Sequence, residues 1–316
     1  MWSLADKDGS TEMRKVFVET LDELMKEDGR VIALEADLGG ASGFSKLKNS
    51  HPSQFINVGI AEANMMGIAA GLSMRGRVPF VHTFAPFAVR RACDQIFLEG
   101  AYAGNTINIY GSDPGACAAQ NGGTHTTLED IAIMRAIPTV EVYDPADGVQ
   151  LRWLIRELAG RKGVHYIRAA RKGMPDIYAE GSSFETGRGC VLREGKDVLL
   201  VAAGLGLKLA LEAAEQLRAE GIDAGVIDMF TIAPLDTELL KAQIPGKKLV
   251  VTVENHGITN GLGSAVAEVI AGEGYGVRLS RIGSRNQFGQ VGSQEYLMKA
   301  YGLTVENILD TVKRHL

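Results

Sequence analysis

The chain has 316 residues, of which 46% are hydrophobic and 22% are charged, enough for two α/β domains with their own cores. Its net charge of −5, with dispersed basic residues, argues against a nucleic-acid or membrane partner. The three cysteines form no C-x-x-C motif, so the sequence predicts neither disulfides nor a thiolate metal site. No run approaches eighteen apolar residues, and we expect a cytoplasmic location.

Strand-like and helix-like runs alternate along the first half of the chain, after residues 1–12, which we expect to be a flexible lead-in. The order predicts a mostly parallel sheet with crossover helices. The pattern predicts strands at 31–38, 78–84 and 106–112, helices at 61–74 and 85–104, and further elements within 139–160 and 163–171.

A stretch rich in Gly and Ser, residues 172–189, interrupts this alternation, and a second α/β series begins after it. The sequence therefore predicts an α/β fold of two domains, each a mostly parallel sheet flanked by helices. The expected boundaries are a first domain at 13–180, a linker at 181–189 and a second domain at 190–316.

The second domain contains a Gly-x-Gly turn, Gly204 and Gly206, between a predicted strand and a predicted helix. Leu209 occupies the third glycine position of the dinucleotide-binding fingerprint, so the sequence favours ordinary strand-to-helix packing there. The sequence also contains no P-loop motif and no nucleophile-elbow motif.

One acid, Glu62, begins an apolar helical run, NVGIAEANMMGIAAGLSMRG. A Glu in the first turn of a helix commonly complements the macrodipole. Because the flanking residues are apolar, this carboxylate is expected to be half-buried and to require a partner or an altered pKa. Such an acid suits proton exchange with a heterocyclic nitrogen.

Three stretches, FINVGIAEANMMGIAAGLS, TFAPFAVRRACDQI and GGTHTTLEDIAIMRAIP, resemble the pyrimidine-binding domain of thiamine diphosphate enzymes of the transketolase family. A fourth, VVTVENHGITNGLGSAVAEV, resembles that family's C-terminal domain, so the resemblance covers essentially the whole chain. It implies that residues 13–180 are the pyrimidine-binding domain and that residues 190–316 are the C-terminal domain.

The resemblance also implies roles for residues near the cofactor. Glu62 matches the glutamate that hydrogen-bonds N1′ of the aminopyrimidine and promotes its imino tautomer. Phe84 and Phe87 match the aromatic residues that stack on the pyrimidine. Asp37 and Leu38 match the family's A-D-L beside the cofactor.

The family's substrate loop corresponds here to GSDPGACAAQNGGTH. His125 keeps the last family histidine and is assigned a catalytic and substrate-binding role. Asp113 stands where the family has its first histidine, and Asn121 stands where it has an aspartate. An aspartate at this point would repel a phosphate dianion, which leaves phosphorylated, sulfonated and branched sugars open as substrates.

Three arginines are candidates for the anionic end of the substrate. Arg14 matches a family arginine that grips the ketose phosphate. Arg171 is the better match to a second such arginine, and Arg168 lies close by in the same stretch, YIRAARKGMP.

The chain lacks the G-D-G…N motif with which transketolases bind the diphosphate and its divalent metal. The resemblance therefore implies an N-terminal partner subunit that holds Mg²⁺ or Ca²⁺, in an α₂β₂ assembly that moves a two-carbon ketol unit from a ketose to an aldose. Two alternatives stay open: the β-subunit of a 2-oxo acid dehydrogenase E1 component and a non-catalytic scaffold paralogue. The loop GTHTTLEDIAIMR favours the transketolase subunit over the first, and retention of the cofactor residues argues against the second.

Overall fold

The structure is a computed structural model that describes residues 1–6 and 9–316. Within the described residues, the first part of the chain forms eight strands: β1 (Ser10–Glu12), β2 (Val31–Glu35), β3 (Phe55–Asn57), β4 (Val78–Phe84), β5 (Ile107–Ser112), β6 (Glu141–Tyr143), β7 (Val164–Ala169) and β8 (Gly173–Pro175). Its helices are α1 (Met13–Glu27), α2 (Gly39–Ser42), α3 (Ser45–Ser50), α4 (Glu62–Met74), α5 (Ala85–Val89), α6 (Cys93–Gln95), α7 (Asp130–Arg135) and α8 (Gly148–Ala159). A π-helical turn, Ile96–Tyr102, and a 3₁₀ segment, Gly115–Asn121, complete this part.

The second part continues the alternation of strands and helices. Its strands are β9 (Cys190–Arg193), β10 (Val198–Ala202), β11 (Ala224–Asp228), β12 (Thr231–Ala233), β13 (Leu249–Gly257) and β14 (Arg278–Ser284). Its helices are α9 (Gly206–Ala219), α10 (Thr237–Gln243), α11 (Leu262–Gly272), α12 (Gln294–Ala300) and α13 (Val305–His315).

Two mostly parallel sheets confirm the predicted α/β class. The first has the order β12-β6-β7-β5-β4-β2-β3, with β12 antiparallel to β6, and the second has the order β14-β13-β10-β11-β9, with β9 antiparallel to β11. Strand β12 follows the linker, so a segment of the second domain completes the sheet of the first, which sequence analysis did not predict.

Two expectations differ from the structure. The described part of the lead-in is paired, because β1 lies antiparallel to β8 and Ala5 N–H donates to Ile177 O over 2.9 Å; residues 7 and 8 lie outside the described residues. The expected helix at 85–104 is divided into α5, α6 and the π-helical turn, after which the N–H groups of Ala103 and Asn105 donate five residues back to Leu98 O and Gly100 O.

The first sheet brings the predicted site residues to one edge. Strands β2, β4, β5 and β7 are parallel neighbours and are buried almost throughout. Their carboxyl ends therefore meet at the same edge, which is where open α/β sheets bind ligands. Within the described residues, no helix combines the length and apolar character needed to cross a bilayer.

The Gly-x-Gly turn joins β10 to α9, as the packing interpretation expects. Gly204 has a φ of +50°, and a Cβ there would come within 2.2 Å of Asp144 Oδ1. Glycine is needed at this point because the second domain packs closely against the first.

Candidate active site

Glu62 is the first residue of α4, and its side chain is only 5% exposed. Nη1 of Arg91 donates a hydrogen bond of 2.8 Å to Glu62 Oε1. The Arg91 side chain is 47% exposed, so the pair lies at the edge of the protein interior. The carboxylate thus has the partner that its burial requires, and the helix N-terminus adds a favourable partial charge.

Phe84, Phe87 and His125 meet in an aromatic cluster. Phe84 ends β4 and Phe87 lies in α5, and their ring centroids are 6.1 Å apart. The His125 ring contacts both edge-on, with centroid distances of 5.9 Å to Phe84 and 5.1 Å to Phe87. The structure therefore brings together three residues that lie up to 41 positions apart in the sequence.

A guanidinium group also lies over each phenylalanine ring. The Cζ of Arg91 lies 3.9 Å from the Phe87 centroid, and that of Arg171 lies 4.7 Å from the Phe84 centroid. Arg91 thus joins the aromatic cluster to Glu62. Sequence analysis missed Arg91; the one available signal was its position four residues after Phe87, a spacing that allows side chains to meet on a helical path.

Asp113 is paired with Arg171. It follows β5 with a φ of +57° and is 2% exposed. Its Oδ1 accepts a hydrogen bond of 2.8 Å from the backbone N–H of Arg171, and its Oδ2 accepts one from Nε of the same residue. Burial raises the pKa of Asp113, and the charge of Arg171 opposes that shift. The Asp113 carboxylate is therefore paired with Arg171 and is not free.

The backbones of Arg14 and Arg171 are hydrogen-bonded, because the N–H of Arg14 donates to the carbonyl oxygen of Arg171 over 3.2 Å. The Nε of Arg14 donates to Glu12 Oε1 at 2.5 Å and its Nη1 donates to Ala41 O at 3.0 Å. Arg14 lines a cavity of about 450 Å³ between α1 and the α2–α3 segment. This space borders the region where the sequence places the anionic end of the substrate.

Asp37 and Leu38, which are predicted to lie beside the cofactor, follow the carboxyl end of β2. Asp37 is exposed, with a φ of +58°, and Asn57 Nδ2 donates to its Oδ1 over 3.4 Å. Leu38 is half-buried, and its N–H donates to Glu35 Oε2 over 2.5 Å. Sequence analysis missed Glu35, whose pKa is raised by burial. Asn121 is exposed at the end of the 3₁₀ segment.

The prediction that Arg168 binds substrate is wrong. Arg168 is fully buried, and it donates to Asp130 (2.7 Å), to Asp144 (2.6 Å) and to the backbone oxygen of Asn255 (2.9 Å). It lies within β7, whose side chains are buried, whereas Arg171 lies beyond the end of that strand. Arg168 therefore joins the two domains.

Comparison with known families matches both halves of the chain. Residues 10–175 match the pyrimidine-binding domain of transketolase, and residues 187–308 match the transketolase C-terminal domain. The chain belongs to the transketolase family.

Similar proteins include other single transketolase subunits. The chain is 43% identical, over 94% of its length and 92% of the relative's, to a 6-deoxy-6-sulfo-D-fructose transketolase subunit from Clostridium sp. (strain MSTE9). It is 40% identical, over 96% of both chains, to a putative transketolase C-terminal section from Methanocaldococcus jannaschii. A solved structure described as a split gene transketolase, inactive beta4 tetramer, superposes with a TM-score of 0.87 at 38% identity, covering 98% of this chain and 99% of that one.

These comparisons establish the coarse function. The chain is a transketolase-type C-terminal subunit, a transferase component of an enzyme divided between separate chains. They do not favour a 2-oxo acid dehydrogenase β-subunit or a scaffold paralogue. The family as a whole depends on thiamine diphosphate.

Proposed function

We propose that this transketolase subunit holds the aminopyrimidine of thiamine diphosphate and takes part in moving a two-carbon ketol unit from an anionic ketose to an aldose. Glu62 is assigned to the aminopyrimidine nitrogen, Phe84 and Phe87 to its ring, and Asp37 and Leu38 to the neighbouring edge of the cofactor.

The observation that carries this proposal is the position of the Arg91 guanidinium. This group is planar, carries N–H donors, lies 3.9 Å from the Phe87 centroid and donates to Glu62 at 2.8 Å. An aminopyrimidine is likewise planar, and its ring nitrogen can share a proton with the Glu62 carboxyl group, so the same acid and ring suit it. The residues present at this site therefore fit the cofactor's heterocycle.

When bound, thiamine diphosphate supplies the thiazolium ring that carries the two-carbon unit between sugars. Glu62, whose side chain is 5% exposed, is placed to exchange a proton with the aminopyrimidine nitrogen where little water competes. Phe84 and Phe87 exclude water from the heterocycle. His125, in edge contact with both rings, is placed to donate a hydrogen bond to an oxygen of the substrate.

The diphosphate and its metal are assigned to the partner. Among residues 1–6 and 9–316, no group of three or more His, Cys, Asp or Glu side chains has an arrangement that could hold a metal ion. The single-subunit relatives support the proposal that an N-terminal subunit holds Mg²⁺ or Ca²⁺ and the diphosphate, in an α₂β₂ complex.

The charges near the substrate end favour a ketose with one negative charge. Arg171 is paired with Asp113, and Arg14 is paired with Glu12, so each cation is already offset by a carboxylate. A phosphate dianion is repelled by these carboxylates more strongly than a sulfonate, which carries a single charge. The name of the Clostridium relative, a sulfofructose transketolase subunit, agrees with this preference.

The test is reconstitution. The chain is purified alone and with its N-terminal partner, and ketol transfer to an aldose is measured with 6-sulfo and 6-phospho ketose donors, with and without thiamine diphosphate. We expect transfer by the two-subunit complex alone, dependent on thiamine diphosphate and faster with the sulfonated donor.

Two outcomes would contradict the proposal. Calorimetry that shows tight thiamine diphosphate binding to the isolated chain would contradict the proposal that two chains share the cofactor site. Oxidative decarboxylation of a 2-oxo acid by the complex, without ketol transfer, would support the dehydrogenase alternative instead.

A further inference from the structure

Arg91 has two contacts at the site, and both involve groups assigned to the cofactor. Its guanidinium lies over the ring of Phe87 and donates to the buried carboxylate of Glu62. A ring that stacks on the same face of Phe87 and hydrogen-bonds to the same Glu62 oxygen cannot occupy this space while Arg91 is there.

We propose that Arg91 is a positioning residue that occupies the aminopyrimidine position in the cofactor-free subunit and is displaced when the cofactor binds. The inference rests on the proposed function, since it takes Glu62 and Phe87 as the cofactor's contacts. Arg91 keeps the buried carboxylate paired and covers the phenylalanine ring until the heterocycle replaces it in both contacts.

The exposure of Arg91 makes this exchange feasible. Its side chain is 47% exposed, so the guanidinium can move into water without losing a buried environment. Water screens the Arg91 side of this ion pair, and a ligand that satisfies Glu62 equally well can displace the guanidinium. Affinity for that ligand is reduced by the fraction of molecules in which Arg91 covers the site.

The neighbouring arginine provides a matched control. Arg90 belongs to the same turn, is exposed, and donates to Glu129 Oε1 over 2.8 Å and to the backbone oxygen of Thr126. Its guanidinium therefore faces a different carboxylate. Arg90→Ala and Arg91→Ala remove the same charge one residue apart, and only Arg91 contacts Glu62.

The experiment measures binding to the assembled two-subunit enzyme by calorimetry. Thiamine diphosphate is titrated in the presence of Mg²⁺ into wild type, Arg91→Ala and Arg90→Ala, and inorganic pyrophosphate is titrated as a probe without a pyrimidine. We expect thiamine diphosphate to bind Arg91→Ala about three- to tenfold more tightly than wild type. Pyrophosphate affinity should be unchanged in both variants, and Arg90→Ala should match wild type with both probes.

A second variant covers the case in which Arg91→Ala fails to fold or assemble. Arg91→Lys keeps the charge beside Glu62 and loses the planar group over Phe87, so it should bind thiamine diphosphate with an affinity between those of wild type and Arg91→Ala. Equal or weaker binding by the Arg91 variants, with wild-type pyrophosphate affinity, would overturn the inference and leave the proposed function intact. Absence of thiamine diphosphate binding by the wild-type complex would instead overturn the proposed function.

Discussion

Asp113 holds Arg171 at two points, because one carboxylate oxygen accepts the backbone N–H of Arg171 and the other accepts its Nε. The same guanidinium lies 4.7 Å from the centroid of Phe84. A buried acid therefore fixes the orientation of the Arg171 guanidinium, which is assigned to the substrate, and reduces the net positive charge at this point.

Asp113→Asn removes that negative charge and keeps the size of the side chain. We expect the ratio of kcat/KM for a phosphorylated donor to that for a sulfonated donor to rise about three- to tenfold, because the dianion gains more from the lost repulsion. Asp113→His should change the ratio in the same direction. If Arg171 moves, kcat/KM falls for both donors, and the ratio of the two values cancels that shared loss. Asp28→Asn, which alters the partner of Arg30 before β2, should leave the ratio unchanged, and an unchanged ratio in both Asp113 variants would contradict the charge argument.

Glu62→Gln removes the ionisable group and preserves its shape. Turnover of the two-subunit enzyme should fall by about two or more orders of magnitude, within the range for positioned acid–base groups. The melting curve should remain cooperative, since the substitution is nearly isosteric. Glu129→Gln, at the partner of Arg90, is the control and should retain turnover. Near-normal activity of Glu62→Gln would show that Glu62 is not the proton-exchanging acid.

Arg171→Ala and Arg14→Ala should each raise KM for an anionic ketose. Loss of one charge-assisted contact costs on the order of 1.5 to 3 kcal/mol, or roughly ten- to a hundredfold in kcat/KM. Cofactor affinity should be retained. Arg152→Ala, whose Nη1 lies 3.6 Å from Glu23 Oε1 on the outer face of the first domain, serves as the control. If both active-site variants keep the wild-type KM, the anionic group binds elsewhere.

His125→Ala should lower kcat and leave KM nearly unchanged. An imidazole beside the reacting oxygen stabilises charge that develops in the transition state, and removing such a donor costs about a hundredfold in kcat. Steady-state kinetics separate the two constants. His51→Ala is a suitable control, because His51 contacts Asp22 away from the sheet edge. A change confined to KM would assign His125 to binding alone.

The stability of the protein should depend on pH through Asp228. This residue is fully buried, accepts hydrogen bonds from Gln150 and Tyr178, and has its pKa raised to about 7 by burial. The folded state keeps this proton to a higher pH than the unfolded state does. Its contribution to the free energy of unfolding therefore falls as pH rises from about 4 to about 7, and is constant above that.

Asp228→Asn cannot ionise, so its melting temperature should fall less than that of wild type between about pH 4 and about pH 7. Asp310→Asn changes an exposed aspartate of α13 and should follow the wild-type profile. Parallel curves for wild type and Asp228→Asn would show that Asp228 does not titrate in this range.

Apolar runs and their lengths were sufficient to predict most elements around the site. The expected strand at 78–84 and helix at 61–74 correspond closely to β4, which is buried along its last six residues, and to α4, which buries residues three or four positions apart. The resemblance to transketolases then assigned roles to Glu62 and Phe87, which the structure links through Arg91. The interrupted helix at 85–104 was not predictable, since its composition suits a continuous helix and a π-helical turn has no distinct sequence signal.

By itself, the sequence determined the α/β class and the two-part organisation, and it predicted the carboxylate and aromatic residues assigned to the site, because these depend on local pattern and on motif order. Tertiary structure alone decided which charges are paired. Arg168 and Arg171 lie three residues apart, yet one is buried between the domains and the other lies over Phe84. The partner of a buried charge is contributed by a segment distant in the chain, as Asn255 is for Arg168 and Arg171 is for Asp113. Local periodicity therefore cannot predict that partner.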